Sequence, residues 1–323
     1  MNRHWRVAVA AGAVALALAA AARGETSTWP TRPIRAIIPL GAGSATDVVP
    51  RAVFDQLSPE LGQPIVVENR VGAGGTLGVS TVARASPDGY TILAHSSAHA
   101  IAPWIIPSIP YDAAKDLVGA LMLGQSASVM IALPSRGWRT VQQFVAAAKA
   151  KPGSVNYGSA GVGTGTHLAA EKFRLSAAFE AVHIPYKGGA EALADLLGGR
   201  IDFYFCPIST ALPFIRERRV VALVVSTPKR AADLPEVPTT LEAGYPNSES
   251  TVWYGVFMPS RTPRDIVEKF HAVGKRVLAM PPMAQKLKQL AIDPMPLTPT
   301  EMDAFVAEEI ASNGRLIKAA GIK

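Results

Sequence analysis

The stretch IRAIIPLGAGSATDVVPRAVFDQLSPELGQPIVVEN, residues 34–69, contains one full cycle of an α/β fold. The β-branched residues of Ile34 to Leu40 predict a strand that ends in a glycine-rich loop. Asp47 to Gly62 then reads as a helix, with Pro50 in the first turn, where a missing N–H costs nothing. Pro64 to Asn69 is the next strand. Between strand and helix lies Gly41-Ala42-Gly43-Ser44-Ala45-Thr46-Asp47, a loop of small residues at a helix start.

The alternation continues outward. The loop RVGAGG leads into a helix at Thr76 to Ala85, and Tyr90 to Ser96 reads as a third strand. A second pass starts near Val129 with the strand VMIALP, then a helix over Thr140 to Gly153. It proceeds through the strand VNYGS, the loop and helix reaching Phe173, a strand at Phe179 to Tyr186 and a helix at Gly188 to Gly199. The strands IDFYFC and Val220 to Ser226 complete it. After Ser250 to Ser260, helices are predicted at Pro263 to Ala279 and Thr300 to Ala320. Strand–helix–strand order signals parallel α/β sheets, and 323 residues exceed one ordinary core. The expectation is an α/β protein of two lobes, each a mostly parallel sheet flanked by helices. Residues 25–125 plus 250–323 make the first lobe and 126–249 the second.

The N-terminus is set apart. MNRHWR is basic, Val7 to Ala22 is a run of small apolar residues, and Ala20-Ala21-Ala22 offers a cleavage site. This is the pattern of a secretory signal peptide over residues 1–24, which predicts export to the periplasm. The run is too short and too alanine-rich for a membrane span. Cys206 is the single cysteine, so no internal disulfide can form, and its apolar setting reads as a buried thiol. With 49% hydrophobic and 18% charged residues the chain is globular. Its net charge of +7 is scattered rather than gathered into a patch, which argues against nucleic acid. A mildly positive body attracts a small anion instead.

Three loops stand where strands give way to helices: residues 41–47, Val71 to Gly78, and the stretch NYGSAGVGTGTHLAAEKF from Asn156 to Phe173. Glycines let backbone approach a ligand, and the free N–H groups and dipole of a helix start favour a negative group. Taken singly, each loop reads equally well as a plain structural turn. Nucleotide readings fail on spacing: Thr166 stands where a dinucleotide fingerprint needs its third glycine, and no lysine makes a Walker loop. His95 and His99 lack the further ligands of a metal site, so no metal and no cofactor are expected. No Gly-x-Ser-x-Gly elbow points to a hydrolase. Asp47 caps or charges its helix start, His167 is either a ligand donor or a packing residue, and His183 reads as structural.

The ordered segments WPTRPIRAIIPLGAGSATD, LGQPIVVENRVGAGGTLG, SPDGYTILAHSSAHAI, KPGSVNYGSAGVGTGTHLAAE, VHIPYKGGAEALADLLGGRIDF and WYGVFMPSRTP run almost end to end. In these the chain resembles the solute-binding proteins of the tripartite tricarboxylate transporter system, the Bug family. The resemblance implies a periplasmic, type II-like Venus-flytrap protein, not an enzyme. Its two lobes would close on a small carboxylate, such as a di- or tricarboxylate or aromatic acid, and deliver it to membrane permease subunits. A monomer is expected. By position it implies ligand contacts at Ser44, Ala45, Thr46 and Asp47 from the first lobe and Thr164, Gly165, Thr166 and His167 from the second. Ser97, His99, Pro207, Ile208 and Ser209 would complete the wall. Two departures stand out: the first loop has Ser44 after a split glycine pair, and Cys206 stands where many relatives carry an aspartate. The second shifts the expected ligand from amino acids toward simple organic or aromatic acids. The alternatives are an exported α/β hydrolase-like enzyme acting on a carboxylate or ester, and a ligand sensor for a signalling receptor.

Overall fold

The structure is a computed structural model describing residues 29–321. The predicted signal peptide lies outside the described residues. The first alternation is β1 (Ile34–Ile38), α1 (Ala45–Leu61), β2 (Ile65–Asn69), α2 (Thr76–Ala83), β3 (Thr91–Ser96) and α3 (Ala98–Ile105). β1 lies between β2 and β3 and runs parallel to both. A parallel α/β order of this kind puts the loop 39–44 and Ser97 at the carboxyl edge, where helices begin.

A long strand follows. β4 (Leu117–Ala132) spans 16 residues, whereas the sequence predicted only its end. The register of β4 shifts between Gly119 and Leu121 and again between Met122 and Gly124, and these glycines hide the strand in the sequence. The second alternation is α4 (Val141–Ala150), β5 (Val155–Ser159), α5 (Gly165–Ala177), β6 (Ala181–Pro185), α6 (Gly189–Leu197), β7 (Phe203–Pro207), α7 (Ile208–Arg216) and β8 (Val221–Val225). The chain then returns through β9 (Thr251–Pro259) to α8 (Arg264–Ala279), α9 (Pro281–Gln289) and α10 (Pro299–Ala320). The helices α3, α7 and α9 were not foreseen. α10 starts at Pro299 because Thr298 caps it: the hydroxyl accepts from Glu301 N while the Glu301 carboxylate accepts from Thr298 N.

The strand order is β2-β1-β3-β9-β4-β7-β5-β6, with β8 also on β4. β5 runs parallel to β6 and β7. β9 is antiparallel to β3 and β4, and β4 is antiparallel to β7 and β8. The expected mostly parallel sheets are thus parallel only in the flanks. The middle is antiparallel because β4 and β9 pass through it in opposite directions. β4 pairs with β9 through Leu117 to Ala127 and with β7 from Ser128 onward. The aliphatic and aromatic packing divides at the same place. Ile34, Phe54, Tyr254 and Phe270 belong to one core, and Phe144, Tyr157, Phe173 and Phe203 to another. A small cluster of Ile101, Leu168 and Ile317 joins α3, α5 and α10 across that division.

Candidate functional site

The start of α1 is set by a charged clamp. Gly43 adopts φ +80°, a left-handed turn that suits glycine, and Ser44 N donates to Gly41 O at 3.2 Å. The Asp47 carboxylate accepts from Gly43 N at 2.9 Å, Arg51 Nε at 2.8 Å and Asn69 Nδ2 at 2.8 Å. Asn69 also donates to Leu40 O, so the end of β2 holds the end of β1. Burial pushes the Asp47 carboxyl up, but the bonds from Gly43, Asn69 and Arg51 outweigh it and leave the pKa below its ordinary value. Asp47 is buried and its oxygens are spoken for. It positions the loop, in keeping with the capping reading. Ser44 differs: its Oγ is buried without a hydrogen-bond partner. The amides of Ala45 and Thr46 precede the first intrahelical acceptor.

The start of α5 is built from neutral groups. Thr164 caps it, donating from Oγ1 to Gly161 O at 2.8 Å and accepting from His167 N. Thr166 Oγ1 lies 3.0 Å from Thr164 Oγ1 and accepts from Ala160 N at 3.0 Å. The Tyr204 hydroxyl lies beside Thr166. His167 Nδ1 accepts from Gly163 N at 3.2 Å, and its ring stacks on His183 at 4.0 Å. Burial, then the neighbouring His183, pushes the His167 pKa down to about 4. His167 therefore holds the Gly163 turn as a neutral, packed ring.

Ser159 Oγ lies 2.7 Å from His183 Nε2, the serine–histidine contact that a hydrolase reading requires. The details run against it. Ser159 is fully buried, and its Oγ is also engaged by its own loop, 3.0 Å from Gly161 O and accepting from Gly161 N at 3.1 Å.

The remaining predicted residues fall in different settings. Ser97 Oγ is buried without a partner and, with Gly165, lines a cavity of about 140 Å³ together with Leu168, Ser250 and Asn313. A Cβ on Gly165 would come within 2.4 Å of Val252 Cγ2 and 3.2 Å of Ser97 Oγ, so only glycine lets α5 approach β9. His99 is fully buried in the core, where Nε2 donates to Ala113 O at 3.0 Å and the ring sits 4.9 Å from Phe257. Burial lowers its pKa to about 4. Pro207 pairs with Ser128 at the point where β4 changes partners, Ile208 is buried and Ser209 is half-buried at the start of α7. Sequence reading missed Asn313, whose Nδ2 is buried without a partner beside Ser97, because nothing in the local pattern of α10 marks it. Among the described residues no group of three His, Cys, Asp or Glu side chains is placed to hold a metal ion.

A sequence profile described as the tripartite tricarboxylate transporter family receptor matches residues 49–322. The chain belongs to this family. It is 37% identical over 265 residues, covering 82% of this chain and 79% of the relative, to the UPF0065 protein in the tcbD-tcbE intergenic region of Pseudomonas sp. (strain P51). It is 33% identical to Protein BugT of Bordetella pertussis, with 92% and 91% coverage. Three solved structures align closely. The periplasmic binding protein BugD has a TM-score of 0.83 at 30% identity, covering 91% of this chain and 99% of that one. R. palustris Rpa4515 with adipate gives 0.85 at 30%, with the same coverage. MatC from Rhodopseudomonas palustris with bound malate gives 0.81 at 29%, with 90% and 100% coverage. The family is one of transporter receptors, not enzymes, and BugD is a periplasmic binding protein, so the hydrolase alternative falls. The present chain is a periplasmic solute-binding protein of the same fold.

Proposed function

We propose that this receptor captures a small organic carboxylate between the starts of α1 and α5 and hands it to the permease subunits of a tripartite tricarboxylate-type transporter. The observation that carries the reading is the Ser44 hydroxyl, buried and unpartnered at the head of a 17-residue helix. A buried hydroxyl without an acceptor loses hydrogen bonding that an anion restores, and the helix dipole favours the same charge. In this reading the first-turn amides of Ala45, Thr46, Gly165 and Thr166 supply the donors, the Thr164 and Thr166 hydroxyls hold the α5 loop, and Ser97, Pro207, Ile208 and Ser209 are walls. Asp47, His99 and His167 shape the loops instead of touching the ligand.

In this reading residues 25–125 plus 250–323 and residues 126–249 are two lobes that close when the ligand joins both, so binding and closure share one free energy. The protein acts as a monomer, delivered to the periplasm by a signal peptide at residues 1–24. The adipate and malate bound to its structural relatives support a dicarboxylate as the first choice. The test is a thermal-shift series with adipate, malate, citrate, benzoate and glutamate, since a ligand that binds only the folded state raises the melting temperature. At least one organic acid is expected to raise it in a saturable way. A rise with a neutral sugar or a sulfonate and with none of the acids overturns the reading.

A further inference from the structure

The two strands that pass between the halves of the sheet meet at one buried side chain. β4 changes partners between Ala127 and Ser128, and β9 begins at Thr251, one residue past Ser250. Ser226, just beyond β8 and fully buried, bonds to both crossings. Its N–H donates to Ser128 O at 2.9 Å, and its Oγ accepts from Ser128 N at 3.2 Å. The same Oγ donates to Ser250 O at 2.5 Å, and Ser250 N donates to Ser226 O at 2.7 Å. On the other side of the crossing, Ser126 Oγ and Tyr254 Oη lie 3.2 Å apart, also buried.

We propose that Ser226 is the hinge pin of this receptor: one hydroxyl, accepting from one passing strand and donating to the other, makes both bend at the same level. The inference rests on the reading above that the halves close on a ligand. The physical argument is one of constraint. With the hydroxyl present, Ser128 and Ser250 are fixed to one atom, so neither strand can flex without the other. The flexible step is then confined to Ala127–Ser128 and Ser250–Thr251. A hydroxyl is the small group that both donates and accepts. Alanine removes both side-chain bonds and keeps only one backbone bond on each side, leaving the strands free to bend at separate places. Ser226 touches no predicted ligand contact, so it is a positioning residue: it sets the balance of open and closed forms, and affinity follows from that balance.

The experiment measures distances between the halves with no ligand added. Spin labels go on Glu60→Cys and Lys151→Cys, both exposed, while the native Cys206 is buried and escapes labelling. With Ser226 intact, pulsed electron resonance is expected to give a narrow distance distribution. Ser226→Ala is expected to broaden it at least about twofold, and Ser226→Thr, which keeps the hydroxyl, to restore most of the narrowness. With adipate as the probe, Ser226→Ala should also change the dissociation rate by roughly threefold to tenfold. Equal distributions for the intact protein and Ser226→Ala overturn the proposal, whatever the melting temperature does, because a purely structural serine lowers stability without altering the spread. If Ser226→Ala does not fold, Ser226→Cys, near in volume and a weak donor, takes its place in the same comparison. The distances need no ligand, so failure of the carboxylate reading leaves this test intact.

Discussion

The loops that open α1 and α5 look alike in sequence, glycine and hydroxyl residues before a helix, yet opposite chemistries hold them. At α1 the turn hangs on a carboxylate, Asp47, bonded to Gly43 N, Arg51 and Asn69. At α5 it hangs on an uncharged imidazole, His167 Nδ1 accepting from Gly163 N, backed by threonine hydroxyls. Both devices present the first amides of a helix without spending them. One does it with a charge offset by a neighbour, the other with no charge at all. A site that must welcome an anion can tolerate Asp47 only because Arg51, Asn69 and Gly43 already engage its oxygens.

Acid separates the two devices most strongly. His167 is held neutral down to about pH 4, whereas an unfolded histidine takes its proton near 6.5. Between those values the unfolded chain binds the extra proton, so stability falls as pH drops from 6.5 toward 4. The slope is about 1.4 kcal/mol per pH unit for each such histidine. His99 adds to the loss in the same window. Asp47 acts in the same sense but in a lower window: its lowered pKa stabilises the fold at neutral pH, and that contribution disappears only as pH falls below the ordinary carboxylate range. Denaturation midpoints measured from pH 7 to pH 4 should drop steeply, and His167→Gln should flatten the slope by close to one proton. An unchanged slope in that variant would show that His167 already carries a proton in the folded protein.

The second test attacks the place where the α5 loop meets the rest of the molecule. Gly165→Ala forces a Cβ into the 2.4 Å approach to Val252. Overpacking of this kind costs roughly 1–3 kcal/mol, and the shift of the first turn should weaken carboxylate binding by at least about tenfold, read by calorimetry. Normal affinity in that variant would mean that the first turn of α5 stands away from the ligand.

Much of this was legible from the residues. The run Ile34 to Asn69 foretold β1, α1 and β2 because β-branched runs, glycine stops and an in-register helix agree locally. Asp47 could be read as a helix-start carboxylate for the same reason. What escaped detection depends on distant partners. β4 was half missed because Gly119 and Gly124 interrupt its apolar run, and they mark the register shifts of a strand paired on both sides. His99 sits two residues from Ser97 in the sequence, but the turn of α3 sends it to Phe257 and Ala113 while Ser97 stays on a cavity. Asn313 and Ser226 have no local signature, and only the fold brings them to Ser97 and to Ser128.

Breaking the charged clamp is the third test. Asp47→Ala removes three hydrogen bonds to a buried carboxylate and leaves Arg51, itself half exposed, without its ion-pair partner, held only by Asn69 Oδ1. A loss of about 2 kcal/mol in unfolding free energy is expected by urea titration. Affinity should fall with it, because the Gly43 turn loses its anchor. If affinity holds while stability drops, the clamp serves the fold alone and the two loops are not functional counterparts.

The smallest expected change in stability carries the sharpest information. Ser44→Ala deletes a buried hydroxyl that has no partner, so the fold gives up no hydrogen bond, and the melting temperature should stay level or rise slightly. N-capping does not predict this outcome, since a capping serine replaced by alanine costs about 1 kcal/mol; here the Ser44 side chain makes no cap bond. If the hydroxyl waits for a carboxylate oxygen, its loss should weaken binding by roughly tenfold, the worth of one hydrogen bond to a charged group. Stability and affinity would then move independently at Ser44 and together at Asp47. A stable Ser44→Ala protein with undiminished affinity would move the ligand away from α1 and leave the neutral loop of α5 to hold it alone.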